Sequence, residues 1–151
     1  MAVLTILQDD APVLRQVASE VNADDTHICK LALDMIETLK AARGVGLAAP
    51  QVGQSVRLIV LNFGKGGPDV AMVNPVITRF SEDIQISSEG CLSISGGHRY
   101  IKVKRARKVW VEFNTPGMGD ERERMKLKGL MAAAAQHECD HLDGRLMTDY
   151  A

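Results

Sequence analysis

Two histidines four residues apart, His137 and His141, with Glu138 beside the first, form a stretch whose spacing speaks directly of chemistry. Side chains in an α-helix turn by about 100° per residue, so positions i and i+4 share one face roughly one turn apart. Both imidazoles can then reach the same cation, while Glu138, at the edge of that face, can handle a proton. His-Glu-x-x-His on a helix is the spacing of metal-dependent hydrolysis, with two ligands and a general base in five residues. Two ligands leave a site incomplete, so a third has to come from elsewhere in the chain.

Downstream offers none. The longer pattern His-Glu-x-x-His-x-x-Gly-x-x-His is matched as far as Gly144, but Met147 stands at its last position, and no Glu follows His141. The remaining borderline donors are His27, Cys29, Cys91 and His98, together with Cys139 inside the motif itself. Cys139 lies about 200° round the helix from His137 and points away from it, toward packing. His27 and Cys29 fall at the start of an earlier helix, where a cap or core role accounts for them. Cys91 is better placed, beside Gly90 in the short polar run Ser88-Glu89-Gly90-Cys91-Leu92-Ser93. Next to two imidazoles and a divalent cation its thiol would ionise and bind as thiolate. Its plain alternative is the usual fate of a lone cysteine, a buried free thiol.

The elements that must position these groups follow from periodicity. The motif helix runs from Gly129 or Leu130 to Leu142, with Gly144 just beyond it. An earlier helix spans Asp25 to Ala42, with Asp24, Asp25 or Thr26 as cap and Gly44 closing its end in a left-handed turn. Leu31, Met35, Ile36 and Leu39 recur at helical spacing and should face the core. Between Gly44 and Gly53, three glycines and Pro50 can neither continue a helix nor fill a central strand. This is a tight loop that lets backbone approach something closely. It carries none of the phosphate-cradling glycine patterns, and its plain alternative is a compact turn. Residues 1–23 read as a brief extended piece and a turn at Pro12. Val56 to Phe63 and Val70 to Phe80 read as strands, the second interrupted at Asn74-Pro75. Short alternating stretches follow around Ile84–Ile86, Tyr100–Lys104, Val109–Phe113 and Glu121–Lys128. The order predicts an α+β fold, a single domain over residues 1–151, with mostly antiparallel strands packed around a central metal-bearing helix and one N-terminal helix.

Composition narrows the partners. Apolar residues make up 46% of the 151 and charged residues 25%, with a formal net charge of −1. Nothing there calls for a nucleic acid or an anionic membrane. The basic run Lys102–Lys108 alternates as the solvated face of a strand does. No apolar run approaches the ~20 residues of a membrane span, and the N-terminus has no signal-peptide pattern. Three cysteines are too few for a disulfide framework, so the expectation is a cytoplasmic protein with reduced thiols.

Three segments taken together resemble the peptide deformylase family: Gly44-Val45-Gly46-Leu47-Ala48-Ala49-Pro50-Gln51, Glu89-Gly90-Cys91-Leu92-Ser93 and Gln136-His137-Glu138-Cys139-Asp140-His141. The resemblance implies removal of the formyl group from the N-formylmethionine of newly synthesised polypeptides, with release of formate. It implies Cys91, His137 and His141 as ligands of one divalent ion, Fe²⁺ natively, with Zn²⁺ or Ni²⁺ able to take the same ligands. In the implied chemistry a metal-bound water attacks the formyl carbon, Glu138 is the general base, and the Gln51 amide with the Leu92 backbone N–H holds the oxyanion. Gly46 would contact the substrate main chain and Arg99 the peptide, with His98 the alternative to Arg99.

Leu130, Ala133 and Ala134 lie seven, four and three residues before His137 on the same side of the helix. They should line a methionine pocket, with Val45 and Glu89 opposite. Family members often carry bulkier residues at the two alanines, so a roomier pocket is expected. The chain departs from the family in Ser95-Gly96-Gly97, where a proline usually follows Ile94. It also stops ten residues past His141, without the C-terminal helix that bacterial members use for ribosome docking. Nascent chains on the ribosome are therefore expected as substrates without that docking helix. Two other classes compete. A metallopeptidase lacks its downstream ligand here, and a non-catalytic metal-binding domain would need a fourth protein ligand and leave Glu138 and Gln51 without a role.

Overall fold

The computed structural model describes residues 2–94 and 100–151. Arg99 and its alternative His98 lie outside the described residues. Helix α1 spans Thr26–Ala42 and is capped by Asp25, whose carboxylate accepts from the His27 N–H at 2.8 Å. Its stripe of Leu31, Met35 and Leu39 is buried, with Ile36 half-buried beside it. The left-handed residue at its end is Arg43, with φ of 55°, and not Gly44. Gly44 meets a different demand, since a Cβ there would lie 2.9 Å from Leu39 Cδ1 and 3.1 Å from Leu92 Cδ1. Its missing side chain lets the Leu92 segment close over the helix end.

Strands β1 (Gly46–Ala48), β2 (Leu58–Asn62), β3 (Asp69–Phe80), β6 (Lys108–Asn114) and β7 (Glu123–Lys128) form an antiparallel sheet in the order β1-β2-β3-β6-β7. The glycine-rich segment is thus more than a loop. Gly46–Ala48 pairs with Leu61, Val60 and Ile59 as an edge strand, and Ala49–Val52 then winds into a 3-10 turn. Strand β2 is buried on both faces. Leu58 and Val60 pack with α1, while Ile59 and Leu61 pack with helix α2 (Gly129–Leu142) on the other side. That two-sided burial explains its unbroken apolar run. Strand β3 breaks register between Val73 and Val76, where Asn74 takes φ of 50° and its side-chain amide bonds the backbone of Val21 through both heteroatoms. Near the N-terminus, Pro12 opens a 3-10 turn ending at Arg15.

Strands β4 (Ile84–Glu89) and β5 (Ile101–Ala106) form a separate antiparallel pair. Ile84 and Ile86 face outward, while Gln85, Ser87 and Glu89 share the inner side. On β5, Lys102 and Lys104 are exposed as a solvated face should be. Arg105 is not: it is 4% exposed and turned inward with Ile101 and Val103. Helix α2 is fastened to this pair by Gln136, whose amide accepts from the Ala106 N–H at 3.0 Å and donates to the Ala106 carbonyl at 2.9 Å.

Candidate active site

Helix α2 places His137 and His141 one turn apart, their ring centroids separated by 5.0 Å. The end of β4 delivers Cys91 to the same spot, with its Sγ 3.4 Å from His141 Nε2. One ligand atom from each of the three residues lies within 4.8 Å of the others. Ligands bonded at about 2.0–2.3 Å to a tetrahedral ion sit roughly 3.3–3.6 Å apart, so the cluster is of the size a small divalent cation draws together. Soft thiolate with two imidazoles suits Zn²⁺ or Fe²⁺ far better than Mg²⁺ or Ca²⁺. The described residues form no other group of this kind.

Burial sets the electrostatics. His141 is pushed down to about 3 by burial, helped by the positive His137 and Arg105, so it stays neutral with a lone pair to give. Burial also opposes charge on His137, but the nearby Glu138 carboxylate, with hydrogen bonds to Cys91 and Glu89, outweighs it and raises that group to about 10. Its Nδ1 lies 3.0 Å from Glu89 Oε1. A carboxylate only accepts, so Nδ1 donates to it; the raised pKa keeps a proton on Nε2 as well, and a bound cation would take that proton's place. Two buried polar atoms have no partner among the described residues, His141 Nδ1 and Glu138 Oε1. An unpaired buried carboxylate oxygen is costly unless something polar comes to it. Burial pushes Glu138 up to about 7, against the pull of His137, a value suited to taking a proton near neutral pH.

Glu89 and Arg105 form the layer behind His137. Arg105 donates through Nε and Nη2 to the two oxygens of Glu89 at 2.8 and 2.7 Å, and through Nη1 to Asp140 at 2.7 Å. Burial alone would raise the Glu89 carboxyl, but Arg105 and His137 hold it down to about 2. The Glu89 carboxylate therefore serves His137, while the residue also lines the cavity beside the cluster. Sequence reading treated Arg105 as surface charge. The signal lay in the period-2 alternation of β5, which puts it on the face of Val103.

A buried amide donor also stands beside the cluster. Gln51 is buried, and its Oε1 accepts from the Ala48 N–H at 2.9 Å, which turns its NH₂ toward Cys91 Sγ at 3.7 Å and Ser93 Oγ at 3.1 Å. Ser93, a member of the second segment to which the sequence assigns no role, thus helps orient Gln51. Gly46 passes so close to the general-base candidate that a Cβ there would lie 2.7 Å from Glu138 Oε2. A cavity of about 410 Å³ opens beside these groups, lined by Val45, Gly46, Leu130, Ala133, Ala134 and Tyr100 among others. Cys139 packs with the main core, and burial pushes its thiol up to about 12.

The model of the polypeptide deformylase family matches residues 3–151. The chain belongs to that family. Deformylases remove N-formyl groups from nascent peptides, and this member is a hydrolase of the same kind. The deformylase of Dictyoglomus thermophilum is 41% identical over 140 residues, covering 93% of this chain and 87% of that one. An actinonin-bound class I type b deformylase from Acinetobacter baumannii superposes with a TM-score of 0.90 at 34% identity, covering 100% and 99% of the two chains. A probable deformylase from Synechococcus phage S-SSM7 does so with 0.90 at 38%, covering 98% and 99%. The α+β architecture with antiparallel sheets and two helices is the one these deformylase structures share. Among the described residues, no helix of this deformylase-family chain is long and apolar enough to cross a membrane.

Proposed function

We propose that this protein removes the formyl group from the N-terminal formylmethionine of newly synthesised polypeptides in the cytoplasm, with one divalent ion held by Cys91, His137 and His141. The observation that carries the reading is the convergence of those three ligand atoms next to an unpartnered buried carboxylate, at the wall of a peptide-sized cavity. Ferrous iron is the native ion in this reading, with Zn²⁺ or Ni²⁺ able to replace it.

An ion held by Cys91, His137 and His141 would supply Lewis acidity and make an attacking water easier to deprotonate near neutral pH. Glu138 accepts the proton that water loses as its oxygen bonds to the formyl carbon, and returns it to the nitrogen when the C–N bond breaks. Formate and a free N-terminal amine leave. The Gln51 NH₂, held by Ala48 and Ser93, and the Leu92 N–H stabilise the oxygen that gains charge. Glu89 keeps the His137 ring in the tautomer that ligates. The methionine side chain enters between Leu130, Ala133, Ala134 and Val45, and the Gly46 backbone meets the peptide main chain. Arg99 would contact the peptide further along. Two alanines at the pocket wall leave room for side chains larger than methionine.

Formate release from a formyl-Met-Ala peptide tests the reading, on protein purified anaerobically and analysed for metal in the same sample. We expect one formate for each new amine and about one metal per chain. A metal-loaded protein that releases no formate would overturn it.

A further inference from the structure

We infer that Tyr150 is a positioning residue for the metal centre, clasping from outside the ion-pair chain that orients His137. The inference rests on the metal-site reading above. Tyr150 closes the 3-10 turn Met147–Tyr150 that follows α2. Its hydroxyl donates to Asp140 Oδ2 at 2.8 Å, the same oxygen that accepts Arg105 Nη1 at 2.7 Å. Its ring also lies over the Arg105 guanidinium, 4.9 Å from the centroid. One side chain therefore holds both members of the Asp140–Arg105 pair, by a hydrogen bond on one and a cation–π contact on the other.

The position matters because of where solvent can enter. The side chains of Arg105 and Glu89 are 4% and 8% exposed, whereas that of Asp140 is 17% exposed. Asp140 is the open end of the chain Tyr150–Asp140–Arg105–Glu89–His137, and Tyr150 covers it. With Tyr150 removed, water competes for Asp140 and for Arg105 Nη1, and the fork that Arg105 makes with Glu89 loses its second anchor. Glu89 is the only described partner of His137 Nδ1, so freedom gained there becomes freedom of a ligand ring. The same turn reaches the third ligand by packing. Met147 is 2% exposed in a small cluster with Ile94, Ile101 and Val103, and Cys91 packs against that cluster. The turn itself is held independently by Asp149, which accepts from the Leu146 N–H at 3.1 Å and pairs with Arg15 at 2.8 Å.

The test uses Co²⁺-loaded protein, its visible d–d absorption and the rate of Co²⁺ release to excess chelator well below the melting temperature. Tyr150→Ala should release the ion about tenfold faster and change the band shape, as loss of an outer-layer partner typically does. Tyr150→Phe keeps the ring over Arg105 and loses only the hydroxyl, so its release rate should fall between the two. Arg15→Ala loosens the turn without touching Arg105 or Asp140, and should release Co²⁺ at the parental rate. Parental release from both Tyr150 variants would overturn the inference, and so would equal acceleration by Arg15→Ala, which would mean general fraying of the turn. A parent protein that takes up no Co²⁺ would overturn the metal reading itself, and the clasp with it.

Discussion

Glu138 has one carboxylate oxygen without a partner and the other in the space a Cβ of Gly46 would need, so its position depends on what is missing on both sides. Replacing Glu138 by Gln keeps the shape and removes the proton acceptor. We expect kcat to fall by about 10²–10⁴ with metal content unchanged, measured by formate release and metal analysis. Gly46→Ala would push a methyl to 2.7 Å from Oε2, within a sheet edge that cannot retreat far. It should cost about 1–3 kcal/mol of stability and at least about tenfold in kcat, and an unchanged kcat would show that the carboxylate has room to move. At the pocket, Ala134→Leu should lower kcat/KM for formyl peptides with large first residues more than for formyl-Met, by about tenfold in the ratio. Equal losses for both would mean that Ala134 does not set the width.

At the scale of elements, what could be read in advance depended on whether the determining contacts are local. The span of α2 and the shared face of its two histidines follow from a repeat contained in fourteen residues. The break in β3 at Asn74-Pro75 is likewise local chemistry. The left-handed position at the end of α1 fell one residue early, because Gly44 is needed for close packing against Leu92 and Arg43 must take the turn. Arg105 shows the opposite limit. Its burial makes sense only once β4, β5 and α2 meet, since its three bonds go to Glu89 and Asp140. The ion-pair layer also predicts a pH dependence. The folded Glu89 carboxyl sits at about 2 against an ordinary 4.5, so its contribution is complete above pH 5 and is lost as pH falls toward 2. That contribution is on the order of 3 kcal/mol. Urea unfolding of metal-free protein at pH 6 and pH 3 should show Glu89→Gln losing much less stability on acidification than the parent. Parallel losses would place the acid sensitivity elsewhere.

For the whole molecule, the strand order β1-β2-β3-β6-β7 and the separate β4–β5 pair were out of reach of any local pattern, because strand partners are chosen by contacts far apart in sequence. That arrangement has a further consequence. Cys91 lies between the two strands of the small sheet and His141 near the end of the helix behind the large one, 50 residues along the chain. Any ion that joins them closes a loop of that length, and so acts as a cross-link as well as a reagent. A disulfide of equal span would lower the entropy of the unfolded chain by the equivalent of about 4 kcal/mol. Chelation should therefore lower the thermal midpoint by several degrees, by calorimetry with and without ion, even for a Glu138→Gln variant that turns over nothing. Stripping the ion would then act on this fold as a reductant acts on a secreted, disulfide-tied one, loosening the protein at the place where it works.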